Sequence, residues 1–203
     1  GIEQEGLPQA DAIISQVGTE IYLPPFTANM PPLAAWDARL KQQYDRDTAV
    51  AFLQNIDGLE MQPAKYNTPL KTSAYLHNAP DPDAAARQVA AKIEAAGEDG
   101  RYQVVWSSGM HLDIIPAAAG KGNAIRFLLD LWATDAPIIV AGDSGNDRSM
   151  FIELERGIIV GNAQPELKAL THEGHPNANY YQAQQAYAAG VAEGLRHFEA
   201  LAG

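Results

Sequence analysis

Two short segments in the second half of the chain, residues 137–143 (PIIVAGD) and 157–163 (GIIVGNA), are apolar at almost every position before they end in polar residues. Strands that are apolar on both faces are typical of parallel sheets, because helices cover such sheets on both sides. Helical patterns at residues 121–132 and 147–155 alternate with these strands. The alternation predicts an α/β fold with a Rossmann-like parallel sheet, and we expect His111–Pro116 to be a further short strand of it.

The first half of the chain lacks this regular alternation. Residues 12–22 (AIISQVGTEIY) predict a strand, a tight turn and a short strand, and the prolines that follow indicate a linker. Helical and strand patterns of a different order come next. We therefore predict a core formed by residues 1–25 and 110–203, which is interrupted by an inserted α+β cap domain at residues 26–109.

The charge of the chain limits its partners. A formal net charge of −11 at pH 7 disfavours binding to the phosphate backbone of nucleic acids, which requires clustered Lys and Arg. There is no apolar run long enough to cross a bilayer and no cysteine, so any catalysis must use oxygen or nitrogen groups. We expect a cytoplasmic protein that binds neither nucleic acid nor a membrane. A site for an anion would require local positive charge or a bound cation.

The polar end of segment 137–143 opens the sequence GDSGND at residues 142–147. In parallel sheets, ligands bind at the carboxyl ends of the strands, which is where Asp143 is placed. Asp143, Asn146 and Asp147 form a compact set of oxygen ligands of the kind that Mg²⁺ prefers, and the two glycines allow a sharp turn. A bare pair of aspartates at this spacing is more often a helix cap and a surface turn. The whole motif after an apolar strand favours a Mg²⁺ site.

Upstream of this motif, Lys121 stands between two glycines at the start of a predicted helix. Its ammonium group and the backbone N–H groups of the helix start would suit a phosphate, and they would supply the positive charge that an acidic chain requires. Gly122 excludes a P-loop, because that motif needs Ser or Thr after the lysine. A solvated lysine at a helix start is the alternative.

A lysine at the start of one helix, followed by a strand that ends in GDSGND, resembles the third and fourth motifs of haloacid dehalogenase-like phosphatases. The chain is similar along almost its whole length to the sucrose-phosphate phosphatase family, through VGTEIY (17–22), KTSAY (71–75), SSGMHLDIIPAAAGKGNA (107–124) and GIIVGNAQPEL (157–167). The resemblance implies a hydrolase core with a cap that closes over the active site. It also implies a Mg²⁺-dependent phosphomonoesterase for a phosphorylated disaccharide, with sucrose 6-phosphate as the first candidate.

The resemblance also implies roles for single residues. Asp143 would bind Mg²⁺ directly, Asp147 would orient the waters of the metal or Lys121, and Lys121 would bridge the phosphate and the nucleophile. Lys121 and Asp147 would thus be catalytic, with Asp143 and Asp147 at the metal. Ser108, Lys121 and Asn146 would contact the phosphate. In this family, attack by an aspartate gives an aspartyl-phosphate, which water then hydrolyses.

The nucleophile of this family is the first aspartate of a D-x-D motif on the first core strand. The nearest formal match, at residues 81–83, falls in a proline-containing loop of the predicted cap and cannot replace that strand. We therefore expect an N-terminally truncated member with an incomplete core. As given, the chain should have no phosphatase activity, and Mg²⁺-dependent turnover of a sugar phosphate by these 203 residues would contradict this expectation.

Further residues are candidates for binding the sugar. Lys71, Ser73 and Tyr75 alternate along a predicted strand and therefore share one face. The full set is Glu20, Lys71, Ser73, Tyr75, Ser107, Asp113 and Asn162. The alternatives are an exposed strand face for the first three, a surface carboxylate for Glu20 and an ordinary turn residue for Asn162.

Several functions remain open at this point. Another glycosyl phosphate, such as a mannosylglycerate or glucosylglycerol phosphate, is the alternative substrate, because the cap residues decide the substrate. A noncatalytic phosphatase-like domain fused to a glycosyltransferase is a different class, and a sucrose-phosphate synthase-type glycosyltransferase is the corresponding candidate partner. A plain sugar-binding module ranks last, because it would leave GDSGND unexplained.

Overall fold

The computed structural model of the chain describes residues 10–107, 109–154, 156–174 and 179–202. Its strands are β1 (Ile13–Ser15), β2 (Glu20–Tyr22), β3 (Glu60–Met61), β4 (Thr72–Tyr75), β5 (Tyr102–Ser107), β6 (His111–Pro116), β7 (Val140–Gly142), β8 (Arg156–Ile159) and β9 (Asn179–Gln182). Its α-helices are α1 (Ala34–Lys41), α2 (Arg46–Leu53), α3 (Pro82–Ala95), α4 (Lys121–Leu131), α5 (Arg148–Leu154), α6 (Pro165–Lys168) and α7 (Tyr187–Ala202). Within the described ranges, no helix is long and apolar enough to span a membrane.

The strands β7, β8 and β9 form a parallel sheet in that order. Phe151 of α5 and Leu167 of α6 are fully buried together with Ile158 and Ile159 of β8. Helices therefore pack against a parallel sheet, as the apolar segments of the sequence predict, and the α/β fold class is confirmed. The sequence pattern does not predict β9, because its side chains are exposed or only partly buried and do not form an apolar run.

An antiparallel sheet in the order β3, β4, β6, β5 forms a second layer. Ala74, Leu112 and Ile114 are fully buried on one face, where they pack with Val89 and Ile93 of α3. Because side chains alternate along a strand, the residues between them belong to the opposite face. We call that side the polar face, and its members include Lys71, Ser73, Tyr75, Gln103, Ser107, His111 and Asp113.

The expectation that β6 is a strand of the parallel sheet is wrong. This strand pairs antiparallel with β4 on one side and with β5 on the other. Its sequence suggests a parallel strand because each face of β6 buries apolar residues: Leu112 and Ile114 pack towards α3, whereas Ile115 lies on the opposite face and joins a separate cluster with Trp36 and Leu40. The antiparallel sheet thus extends to Pro116, beyond the expected cap boundary at residue 109. The division of the chain into cap and core stays a prediction.

Residues 34–53 contain two helices, α1 and α2, with a short break between them. The break has a local cause at Asp45, whose carboxylate accepts hydrogen bonds from the backbone N–H of Thr48 at 2.8 Å and from its hydroxyl at 2.6 Å. This N-cap fixes the start of α2. The pKa of Asp45 is lowered by these bonds.

A third cluster joins the β1–β2 hairpin to the helix that starts with Lys121. Trp36 is buried and donates its indole N–H to the backbone oxygen of Gly18 at 3.1 Å. Gly18 has a φ of +88°, and a Cβ atom there would lie 2.2 Å from the carbonyl carbon of Gly120. Only glycine permits this approach. The hairpin therefore supports the residue that precedes Lys121.

The parallel sheet should be sensitive to a single added methyl group at Gly157 in β8. A Cβ atom there would lie 2.3 Å from the ring of Phe151, so Gly157→Ala should lower the free energy of unfolding by about 1–3 kcal/mol through overpacking. Gly100→Ala is the matched control, because its Cβ would meet nothing within 4 Å. Urea unfolding followed by circular dichroism measures both, and equal midpoints for the two variants would contradict this account of the packing.

Candidate active site

The GDSGND motif forms a loop that is held together by one carboxylate. β7 ends at Gly142, and a single 3-10 turn, Gly145–Asp147, leads into α5. The side chain of Asp147 is buried, and its Oδ2 accepts hydrogen bonds from the backbone N–H groups of Asp143 at 3.0 Å and Ser144 at 3.2 Å. A Cβ atom at Gly142 would lie 2.6 Å from the Cβ of Asp147. A glycine is therefore required beside this carboxylate.

The other oxygen of Asp147 meets the predicted phosphate-binding lysine. Lys121 is the first residue of α4, and its Nζ donates to Asp147 Oδ1 at 2.5 Å and to Asn146 Oδ1 at 2.7 Å. The side chain of Asp147 is 9% exposed and that of Lys121 is 28% exposed. The structure thus brings together Lys121, Asn146 and Asp147, which come from two separate parts of the sequence, and leaves the ammonium group partly open to solvent.

Asp143 differs from Asp147 in its surroundings. It is exposed, and within the described residues its carboxylate makes no side-chain hydrogen bond or ion pair. Its backbone is fixed on both sides, since its N–H donates to Asp147 and its carbonyl accepts from the N–H of Gln164 at 2.7 Å. The carboxylate is therefore held in place by the backbone but remains open to a ligand.

These donors fit a Mg²⁺ ion that keeps much of its water. Mg²⁺ sites in proteins often use one or two carboxylates together with water and a substrate phosphate. Asp143 offers an open carboxylate, and the amide of Asn146 lies in the same loop. In the part of the chain that the structure describes, no group of three or more His, Cys, Asp or Glu side chains lies together. Asp147 is the weaker candidate ligand, because both of its oxygens already accept hydrogen bonds.

The predicted sugar-binding residues of the antiparallel sheet form a network on its polar face. Ser73 is fully buried and donates its hydroxyl to Asp113 Oδ1 at 2.5 Å, directly across the paired strands β4 and β6. Lys71 Nζ donates to the hydroxyl of Ser73 at 2.8 Å and to Asp113 Oδ1 at 3.3 Å. Lys71 is 7% exposed. The sequence reasoning named all three residues, and the structure brings them together.

Tyr75 lies one row further along the same face, opposite His111. The rings of these two residues are 5.7 Å apart, and the ring of His77 is 5.2 Å from that of Tyr75. The amide nitrogen of Gln62 lies 3.2 Å from His111 Nδ1 and donates to the carbonyl of Ala74. His111 and Gln62 are not among the candidates from the sequence. A sequence signal for His111 exists, because side chains alternate along HLDIIP and His111 therefore shares a face with Asp113.

The remaining candidates are less closely connected to this site. Ser107 ends β5 on the polar face and is buried, whereas Ser108 lies outside the described residues. Asn162 uses its side-chain oxygen to accept the backbone N–H of Tyr187, the first residue of α7, at 2.8 Å. This bond suits the turn alternative, and substrate binding by Asn162 stays a prediction.

Glu20 is also engaged within its own hairpin. Its Oε2 accepts the hydroxyl of Tyr22 at 2.8 Å and that of Ser15 at 3.0 Å. Partial burial of the phenol and its hydrogen bond to Glu20 raise the pKa of Tyr22 to about 12. Tyr22 therefore stays a neutral donor to this carboxylate at any physiological pH.

Two D-x-D sequences occur at helix starts. Asp81, in the formal match at residues 81–83, is the N-cap of α3 and accepts the backbone N–H of Ala84 at 2.9 Å. A second D-x-D sequence lies at residues 45–47, where Asp45 caps α2. Both first aspartates are exposed and satisfy helix N–H groups. Capping explains both sequences without a nucleophilic role.

A cavity of about 510 Å³ borders the loop on the side of β5. Its walls include Val105 and Trp106 of β5, Gly120 before the lysine helix and Asn146 of the GDSGND loop. Lys121, Asp143 and Asp147 are not part of its lining. The cavity thus lies next to the charged site without including it, and we assign metal and phosphate binding to Lys121 and the loop.

Comparison with known proteins agrees with these features. The family model described as sucrose-6F-phosphate phosphohydrolase matches residues 1–199. The chain is 38% identical over 202 residues to the mannosylfructose-phosphate phosphatase of Agrobacterium fabrum, covering 97% of this chain and 76% of that protein. It is 31% identical to sucrose-phosphatase 1 of Nicotiana tabacum, covering 93% of this chain and 44% of that protein. The chain thus spans less than half the length of this plant relative.

A solved structure is also similar. The sucrose-phosphatase of Synechocystis, determined in complex with sucrose and phosphate, superposes with a TM-score of 0.85 at 31% sequence identity. The match covers 98% of this chain and 78% of that one. A haloacid dehalogenase subclass IIB sugar phosphatase has a TM-score of 0.61 at 15% identity, which shows a shared fold.

The two aspartates of the loop should differ in their contribution to stability. Asp147→Asn should lower the free energy of unfolding by about 1–3 kcal/mol, because the backbone N–H groups of Asp143 and Ser144 and the ammonium of Lys121 lose a charged acceptor. The same substitution at exposed Asp143 should change it by less than about 0.5 kcal/mol. Urea unfolding in EDTA, without added Mg²⁺, makes the comparison. A loss at Asp143 as large as the loss at Asp147 would show that the contacts are assigned wrongly.

Proposed function

The chain belongs to the sucrose-6F-phosphate phosphohydrolase family, which consists of haloacid dehalogenase-like phosphoric monoester hydrolases, and from this premise we propose that it binds the metal, the phosphate and the sugar of a phosphorylated disaccharide. The proposed reaction is Mg²⁺-dependent hydrolysis of the phosphate monoester. One observation carries the proposal: Lys121 is fixed by Asn146 and Asp147 beside an open carboxylate at Asp143. Cation, lysine and phosphate can thus meet at one loop.

In this proposal Lys121 binds the phosphoryl group. Lys121 is the first residue of α4, where the positive end of the helix dipole also favours an anion. Hydrogen bonds to Asn146 and Asp147 orient the ammonium, and its partial exposure leaves room for a phosphate oxygen. Asp147 would therefore act by positioning Lys121 and the loop rather than as an open metal ligand.

Asp143 is the proposed residue at the metal, whereas the only side-chain oxygen of Asn146 already accepts a hydrogen bond from Lys121. Bound Mg²⁺ would polarise a phosphoryl oxygen and neutralise charge that develops during transfer. The backbone bonds of Asp143 hold its carboxylate at the end of β7 without using its side-chain oxygens. The backbone of Asp143 thus holds the residue in place while its carboxylate stays free for a ligand, which supports Asp143 as the residue that binds Mg²⁺.

None of the residues described at this site is positioned as the attacking aspartate. Both D-x-D sequences of the chain cap helices, and Asp147 is committed to Lys121 and to backbone N–H groups. We therefore assign binding and charge neutralisation to these residues and assign nucleophilic attack to none of them.

The polar face would receive the sugar. Lys71 and Asp113, which are held together by the buried hydroxyl of Ser73, offer a donor and an acceptor to sugar hydroxyl groups, and Tyr75 offers a ring face. We propose sucrose 6-phosphate as the first substrate, in line with the family and with the sucrose-bound Synechocystis structure. Mannosylfructose-phosphate is the second candidate, favoured by the 38% identity to the Agrobacterium enzyme. The other glycosyl phosphates considered above, the cytoplasmic location and a glycosyltransferase partner stay predictions.

Removing the open carboxylate should abolish the metal-dependent reaction. Asp143→Asn should reduce Mg²⁺-dependent phosphate release by the full-length protein by about 100-fold or more, because a metal ligand is lost. Sucrose 6-phosphate and mannosylfructose-phosphate are the substrates to compare. Asp57→Asn, at an exposed loop position, is the matched control and should keep full activity. Full activity in the Asp143 variant would refute the metal assignment.

The polar face predicts a second effect, which depends on the size of the substrate. Tyr75→Leu should raise KM for the disaccharide phosphate by about tenfold, as expected for the loss of about 1.4 kcal/mol of ring contact. Turnover of p-nitrophenyl phosphate, which has no sugar, should be nearly unchanged. Tyr187→Leu is the control, because Tyr187 is 72% exposed at the start of α7. An equal loss for both substrates would mean that Tyr75 does not contact the sugar.

A further inference from the structure

The path of the backbone before Lys121 decides where its ammonium group lies. The segment 116–120 connects β6 to α4, and Gly120 at its end has a φ of +105°. A glycine in this conformation cannot cap the helix with a side chain, so the shape of the segment must be fixed by contacts from elsewhere. Gly18 supports it on one side, as described above.

Gln103 of β5 contacts the segment 116–120 as well. The amide nitrogen of Gln103 lies 3.2 Å from the carbonyl oxygen of Pro116, 2.9 Å from that of Ala117 and 2.9 Å from that of Ala119. An amide group has two hydrogens, so these three carbonyl oxygens share both of them. Both side-chain hydrogens of Gln103 are thus used for hydrogen bonds to one turn of backbone.

The three carbonyl oxygens lie around a single amide nitrogen, and oxygens gathered in this way repel one another unless a donor lies between them. Pro116 also accepts the backbone N–H of Ala119 at 2.9 Å, and Ala119 also accepts the side-chain N–H of Asn123 at 2.9 Å. Within the described residues, the carbonyl of Ala117 therefore depends on Gln103 alone, and the other two would each lose one of two donors. Buried carbonyl groups that lose their donor destabilise the conformation that buries them. Without Gln103, the segment should therefore relax and carry Lys121 with it.

We propose that Gln103 is a positioning residue for Lys121, which fixes the segment 116–120 and so sets the distance between the antiparallel sheet and the phosphate-binding lysine. The proposal rests on the function proposed above. Gln103 is paired with Ile115 across β5 and β6, so its position is tied to the polar face that carries Ser73 and Asp113. One side chain thereby links the sugar-binding surface to the charged site.

The test replaces Gln103 by Met, which has a similar length and no donor, and by Lys, whose ammonium group offers three donors to the three carbonyls. In the full-length protein with sucrose 6-phosphate, Gln103→Met should lower kcat by about 10- to 100-fold, the range expected when a catalytic group shifts by about 1 Å. KM should stay within about threefold, because the sugar contacts are intact. Gln103→Lys should restore most of the lost kcat.

The matched control is Gln88→Met, since Gln88 is exposed on α3. Wild-type kcat in Gln103→Met, or a loss that Gln103→Lys does not restore, overturns the proposal. If no variant and no wild-type protein releases phosphate, the proposed function fails instead. The role of Gln103 in fixing the segment is then tested by amide hydrogen exchange at Ala117 and Ala119. The N–H of Ala117 donates to the carbonyl of Arg101, and the N–H of Ala119 donates to the carbonyl of Pro116. Exchange there must be faster in Gln103→Met, and unchanged exchange overturns the proposal.

Discussion

The ion pair between Lys121 and Asp147 is the interaction on which the site depends. Asp147 uses one oxygen for the ammonium group and the other for two backbone N–H groups, so the same carboxylate shapes the loop and holds the lysine. Breaking such a pair from one side leaves a charge without its partner in a largely buried place, which costs more than the pair contributes when it is intact. Asp143 can stay open to solvent because Asp147 has already satisfied the backbone around it.

The motifs of the site could be read from the sequence because their signals are local. GDSGND follows an apolar strand directly, and Lys121 stands at a glycine-flanked helix start, so both were placed on the correct elements. The parallel sheet itself follows from the two apolar segments. The strand β6 was misplaced because its apolar residues serve two different clusters, and a sequence pattern shows that a side chain is buried without showing against what.

Other parts of the site depend on tertiary contacts that leave no pattern in the sequence. Gln103 is an ordinary polar residue of a strand, and its three carbonyl partners meet only because the chain turns after Pro116. The Lys71 network likewise needs the antiparallel register that sets Ser73 opposite Asp113. The sequence identified these two residues and Lys71 as candidates, but their mutual hydrogen bonds follow from strand pairing alone.

The double pairing of β6 also limits how the chain can vary in length. Side chains alternate along the strand, so one residue inserted or deleted between Leu112 and Ile115 would turn Asp113 towards α3 and bring an apolar side chain to the polar face. The same change would shift the start of α4 by one residue. Insertions and deletions in related sequences should therefore be absent from this stretch and should collect in the loops around residues 97–100 and 132–137 instead, where the chain can absorb them without moving the lysine.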